Sequence, residues 1–174
     1  DFAQILGLYP EEKYARFNYE TVASIIYSLS GENGLNQFIR RLVFIVISGN
    51  GDAHHKNWSL LYSDGINAEL SPAYDLISTI QYLPTDKLAL NFAKSKLMED
   101  VKLESFVRLA RKINKEEAWM VTRVEEAVDA VMRAWHESNR DFGYNKEART
   151  KLTQHFNKLP LLHNAGRPAT PARR

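Results

Sequence analysis

No cysteine occurs anywhere in the 174 residues. That excludes disulfides and thiolate zinc sites, and it fits a cytoplasmic protein without demanding one. Long hydrophobic runs are equally scarce. The longest aliphatic and aromatic run, Leu42 to Ile47, is too short to span a bilayer and follows directly on Arg40 and Arg41. Neither sign of charge dominates, since the formal net charge is +2 and part of the basicity sits in Arg167, Arg173 and Arg174, beside Pro168 and Pro171. Bulk charge therefore gives no support to direct nucleic-acid binding. The opening Asp1-Phe2-Ala3-Gln4 has neither a basic nor an apolar stretch, so no secretory signal is expected there. An initiator Met is missing as well, and the expectation is a fragment or a processed piece.

Phosphate-binding glycines are also in short supply. Gly49-x-Gly51 is too little for a Rossmann or kinase glycine loop, and no Gly-Lys-Ser/Thr occurs. No Val-Ala-Ile-Lys-like strand offers a lysine for nucleotide phosphates.

What is present reads as one mainly helical domain. Val22, Ile25, Ile26 and Leu29 recur at helical spacing until Ser30-Gly31 stops the pattern. A second helix is expected from about Leu35 to Ile47, apolar enough at its end to lie deep in a core. Ser48-Gly49-Asn50-Gly51 breaks it. Trp58 to Tyr62 reads as a short strand, Asp64-Gly65 as a turn and Ala68 to Ser71 as the returning strand of a β-hairpin. Lys87 to Phe92 is expected as a further short strand. Helices are expected near 103–113, from about 115 to 138, and near 145–158. The domain is expected over residues 1–162, and 163–174 have the composition of a tail without fixed structure.

Between the apolar helix and the hairpin lies Gly49-Asn50-Gly51-Asp52-Ala53-His54-His55-Lys56-Asn57, and past the hairpin comes Pro72-Ala73-Tyr74-Asp75. A loop Asp, an Asn five residues on, a hairpin and a second Asp at its exit follow the spacing of a kinase catalytic loop and its metal-binding Asp. Phosphoryl transfer needs one carboxylate to orient and deprotonate the attacking hydroxyl. It also needs hard oxygen ligands to hold magnesium on the phosphates. Asp52 is the candidate base, and Asn57 and Asp75 are the candidate metal ligands. His54 is expected to brace the loop by hydrogen bonding, and Lys56 to reach a phosphate or neutralise developing charge. Each residue alone has a plainer reading: Gly-Asn-Gly-Asp as a turn, Asp75 as a helix cap over Leu76-Ile77-Ser78, Lys56 as a solvated lysine. Trp58 and Tyr74 are expected to pack and fix the loop. A hydrolytic metal centre using His54 or His55 is a further alternative, although adjacent histidines point apart in most backbones.

These motifs resemble the HipA family, bacterial serine/threonine kinase toxins of toxin–antitoxin systems. The family loop, roughly Asp-x-His-x-Lys-Asn-x-Ser, is met by Asp52 to Ser59, and its metal segment, Leu-x-Pro-x-Tyr-Asp-Ile/Leu-Ile/Leu-Ser, by Leu70 to Ser78. Asp1 to Leu8, with Lys13-Tyr14 following, is similar to the family segment after its N-terminal lobe. The likeness runs over residues 1 to 110 by motif and over the helical remainder by general character. A similar Gly-Asp-x-His-x-x-Asn loop occurs in phosphoinositide kinases. The resemblance implies the C-terminal lobe of a protein-kinase-like fold, with catalytic loop 49–57 and metal-binding segment 70–78. It implies Asp52 as catalytic Asp supported by His54 and Lys56, Asn57 and Asp75 as Mg2+ ligands, and ATP as donor. It also implies Ser/Thr of a protein as acceptor, an aminoacyl-tRNA synthetase being a known kind of target. A HipB-like DNA-binding antitoxin is the implied partner, so DNA would be met only indirectly and no membrane at all. The family's glycine loop, ATP lysine and regulatory serine are expected upstream of Asp1, in the same or a separate chain, and this lobe alone is expected to be inactive. The competing expectation is an inert partner-binding lobe derived from such a kinase.

Overall fold

The computed structural model describes residues 1–14, 16–138 and 145–164. Its organising element is a long helix that the sequence punctuates in the middle. After the four-residue α1 (Phe2–Ile5), α2 runs Tyr19–Ser48, capped at its start by the Asn18 side chain, which accepts from the Thr21 amide at 2.9 Å. Gly31, at φ 61° and ψ −156°, interrupts it where the apolar spacing breaks off. Beyond this kink the second half is buried nearly all round, through Leu35, Phe38, Ile39, Leu42, Val43, Ile45, Val46 and Ile47. It is the central rod of the core rather than an amphipathic surface helix.

Two helices cover that rod. The α3 helix (Leu103–Lys112) turns Phe106, Leu109 and Ala110 inward, and α4 (Glu117–Ser138) packs against both α2 and α3 through Met120, Val124, Ala127 and Val128. Lys115, between them, pairs with Glu32 next to the kink. The α5 helix (Lys146–Phe156) and the short α6 (Pro160–Asn164) close the end near residue 46. His163 and Asn164 thus finish a helix, and the remainder of the expected tail, 165–174, lies outside the described residues. Among the described residues no helix is long and apolar enough to cross a membrane.

The only sheet among the described residues is the expected hairpin, β1 (Leu60–Leu61) against β2 (Glu69–Leu70), antiparallel with Leu60 opposite Leu70. Its turn is held by Asp64, whose carboxylate accepts from the Asn67 and Ile66 amides at 2.8 and 2.9 Å. Those backbone bonds hold its carboxyl down at about 2. The strand expected over Lys87 to Phe92 does not form. Leu88, Ala89 and Leu90 are buried as a strand's would be, but the chain reverses at Ala93 and Lys94, both at positive φ. Among the described residues the segment makes one isolated bridge, Phe92 to Ser95. Burial pattern alone could not separate a short strand from a buried loop.

Buried histidine links acid stability to this packing. His155 on α5 bonds the Val46 carbonyl at 2.8 Å through Nε2, and burial pushes its imidazole below the ordinary value, as it does for His54 and His55. The unfolded imidazoles take up protons near pH 6.5 whereas the folded ones resist, so stability is full above that pH and declines as pH falls beneath it. The thermal midpoint should therefore drop between about pH 7 and pH 5. His155→Gln, which keeps a donor, should make the drop shallower. A pH series by circular dichroism with identical slopes for both proteins would refute this.

Candidate functional site

Two glycines and one contact from further along the chain shape loop 49–57. Gly49 ends α2 in the left-handed conformation (φ 68°, ψ 47°), where a Cβ would sit 2.5 Å from Ile80. A Cβ on Gly51 would collide with the Asp86 carboxylate and the Lys87 carbonyl, so the loop packs directly on the 79–87 segment. The Gly51 amide donates to Thr79 Oγ1 at 2.7 Å, and that hydroxyl also lies against the Gly49 carbonyl and the Asp86 carboxylate. Spacing does not reveal that Thr79 holds Gly51, because the two lie 28 residues apart and meet only in three dimensions.

Behind the loop stands Trp58, fully buried, with ring centroids 5.0 Å from Phe38 and 6.0 Å from Tyr19. The Tyr19 hydroxyl donates to the Ala53 carbonyl at 2.8 Å, and the Trp58 carbonyl accepts from the Phe2 amide at 2.9 Å. Arg41, also buried, lays its guanidinium 5.1 Å over the Trp58 ring and donates to the Ser71 carbonyl at 2.6 Å. One side chain of the central helix thereby holds both the loop and the segment after the hairpin. Burial lowers the Arg41 pKa, because desolvation disfavours its charged form.

The residues singled out from sequence come together here. Asn57 Nδ2 donates to Asp75 Oδ2 at 2.5 Å across eighteen residues of chain, and its Oδ1 accepts from the His54 amide at 3.0 Å. Asp75 is exposed and sits at φ 56°, a conformation Asp tolerates better than most residues. No helix follows directly at Leu76 to Ser78, so it is not a helix cap; the next turn is a short 3-10 segment, Thr79–Gln81. Tyr74 fixes the two segments together, its hydroxyl donating to the Lys56 carbonyl at 2.6 Å and lying 2.6 Å from Ser59 Oγ. Lys56 lies half-buried in the same turn as Asn57, and no hydrogen bond or ion pair holds its ammonium among the described residues.

Asp52 leaves 43% of its side chain exposed, its amide tied to Asn50 Oδ1 at 2.9 Å. Tyr14 donates its hydroxyl to Asp52 Oδ1 at 2.5 Å, and His54 Nε2 lies 4.0 Å from that oxygen. His54 meets the loop through its backbone amide and Tyr14 through an edge contact at 5.2 Å, and among the described residues its ring makes no hydrogen bond. The side-chain brace is His55, whose Nδ1 bonds the Lys13 carbonyl at 2.8 Å. The two rings face different partners, His54 toward Tyr14 and His55 toward Phe17. Among the described residues no group of three or more His, Cys, Asp or Glu is placed to hold a metal ion. Asn57 and Asp75 supply one amide and one carboxylate. That donor set fits Mg2+, which takes one or two carboxylates and completes its shell with phosphate oxygens and water.

A family model described as the HipA-like C-terminal domain matches residues 1–135. The putative kinase Y4dM of Sinorhizobium fredii is 38% identical over 142 residues, covering 81% of this chain and 35% of that protein. A second putative kinase of the same organism, Y4mE, is 27% identical over 140 residues, covering 77% and 33%. The chain thus spans about a third of the length of these relatives. A chain of the Shewanella oneidensis MR-1 toxin–antitoxin complex of HipA, HipB and its operator DNA shares the fold. The TM-score is 0.67 at 15% identity, over 94% of this chain and 39% of that one.

Proposed function

The chain belongs to the HipA-like C-terminal domain family, and on that premise we propose that it is the C-terminal lobe of a cytoplasmic Ser/Thr protein kinase of the toxin–antitoxin type. The observation that carries this reading is the Asn57–Asp75 hydrogen bond, which joins an amide and a carboxylate beside a loop whose Asp52 stays half-exposed. In the complete protein Asp52 takes the proton of an acceptor hydroxyl. The acceptor oxygen bonds the γ-phosphorus of ATP while that phosphorus releases ADP. Asn57 and Asp75 would hold Mg2+, which would supply positive charge to neutralise the phosphates, and Lys56, next to Asn57 in the loop, would add a further positive charge. An N-terminal lobe, in the same or another chain, supplies the rest of the ATP site. A HipB-like antitoxin is the proposed partner, by analogy with the Shewanella complex, and DNA is met through it. The acceptor is a Ser or Thr of a protein, for which an aminoacyl-tRNA synthetase is the candidate by family.

Calorimetric titration of the complete protein with ATP, with and without Mg2+, tests the site. The wild type should bind ATP more tightly with Mg2+, and Asp75→Asn should lose that increment while its thermal midpoint is kept. Equal Mg2+ dependence in the variant would remove Asp75 from the metal site. One feature favours an inert partner-binding lobe instead: an apolar groove of about 430 Å3 lined by Phe44, Ile47, Val131, Trp135 and Phe156, among others. Failure of the complete protein to bind ATP at all would favour that second reading.

A further inference from the structure

Asp52 is held by a residue thirty-eight positions earlier in the chain. The Tyr14 hydroxyl donates to Oδ1 at 2.5 Å, while no hydrogen bond reaches Oδ2 among the described residues. Left alone, a half-exposed aspartate on a loop turns about its side-chain torsions, whereas a base must hold one oxygen within about 3 Å of the proton it takes. Tyr14, 41% exposed, has contacts besides the one to Asp52. Its ring meets His54 edge-on at 5.2 Å, with the Lys13 ammonium 4.8 Å from its centroid. Its carbonyl accepts from Lys96 Nζ at 3.5 Å, and the preceding Lys13 carbonyl accepts from both the amide and Nδ1 of His55. The donor is thus preorganised by the same loop it serves. Burial, with the Asp52 and Asp86 carboxylates, pushes the phenol up to about 12, so it keeps its proton at any working pH.

We propose that Tyr14 is a positioning residue: its hydroxyl pins Oδ1 of Asp52 and so presents Oδ2 to the acceptor hydroxyl. The groove on that side, about 530 Å3 and lined by Tyr14, Asp52, Tyr82, Leu83, Lys87 and Lys96 among others, is where the acceptor reaches it. This inference rests on the kinase reading of Asp52.

The test is Tyr14→Phe in the complete protein, which keeps the ring and its contacts and removes only the hydroxyl. ADP release from MgATP and incorporation of labelled γ-phosphate into protein are followed beside Asp52→Asn. Tyr14→Phe should lower kcat about tenfold, with KM for ATP and the thermal midpoint unchanged, because orientation and not binding or folding is lost. A merely structural role would move the midpoint, and a substrate-binding role would move KM. An unchanged kcat, or a raised one as expected if the phenol blocks the base, overturns the inference. If Asp52→Asn is inactive while Tyr14→Phe runs at full rate, the inference alone fails. If Asp52→Asn keeps the wild-type rate, the kinase reading of Asp52 fails and takes the inference with it.

Discussion

Asp52→Asn in the complete protein should slow phosphoryl transfer by about 10²- to 10⁴-fold, the range for removing a positioned general base. The exchange is nearly isosteric. The amide oxygen can still accept from the Tyr14 hydroxyl, and the Asp52 amide keeps its bond to Asn50, so the loop should hold its shape. Because the side chain is half-exposed, stability should change by no more than about 0.5 kcal/mol, as for ordinary surface exchanges. ATP binding in the presence of Mg2+ should also survive, since Asn57 and Asp75 are untouched. The loss should therefore appear in kcat rather than in KM for ATP. Labelled phosphate transfer and calorimetry on the same preparation separate these effects. A variant that transfers phosphate at the wild-type rate would return Asp52 to the plainer reading, a turn residue among glycines.

The second large effect concerns stability. Trp58→Ala should cost about 3–5 kcal/mol, the range for truncating a buried large aromatic. The ring is fully buried between Phe38, Tyr19 and the Arg41 guanidinium, and its loss would leave a cavity under both the loop and the hairpin. Arg41 would lose the aromatic face it lies on while remaining desolvated, which adds to the cost. Trp58→Phe should be far milder, because among the described residues Nε1 of the indole has no hydrogen-bond partner to forfeit. Urea unfolding followed by far-UV circular dichroism measures both. A loss below about 1 kcal/mol for the alanine variant would show that this ring does not anchor the site.

Much of the fold was legible because its signals are local. Gly31 and Gly49 mark the interruption and the end of α2, and each has a positive φ that favours glycine. Asp64-Gly65 marks the hairpin turn for a similar steric reason. The order of the candidate site, Asp52, Asn57, hairpin, Asp75, could be read as spacing alone, because one loop and one hairpin span it. Lys87 to Phe92 misled because buried apolar residues look alike in a strand and in a packed loop. The positive φ values at Ala93 and Lys94, which deny the segment a pairing strand, fall on residues that do not favour such conformations.

The sequence by itself determined the helical class, the hairpin, and the residue types at the candidate site, because helix stops, turns and motif spacing are short-range constraints on the backbone. Only the tertiary structure decided which residues hold that site. Tyr14 on Asp52, Arg41 between Trp58 and Ser71, and Thr79 under Gly51 join positions far apart in the chain. No periodicity or spacing encodes them, because such contacts arise only when packing of the core brings separate segments within hydrogen-bonding distance.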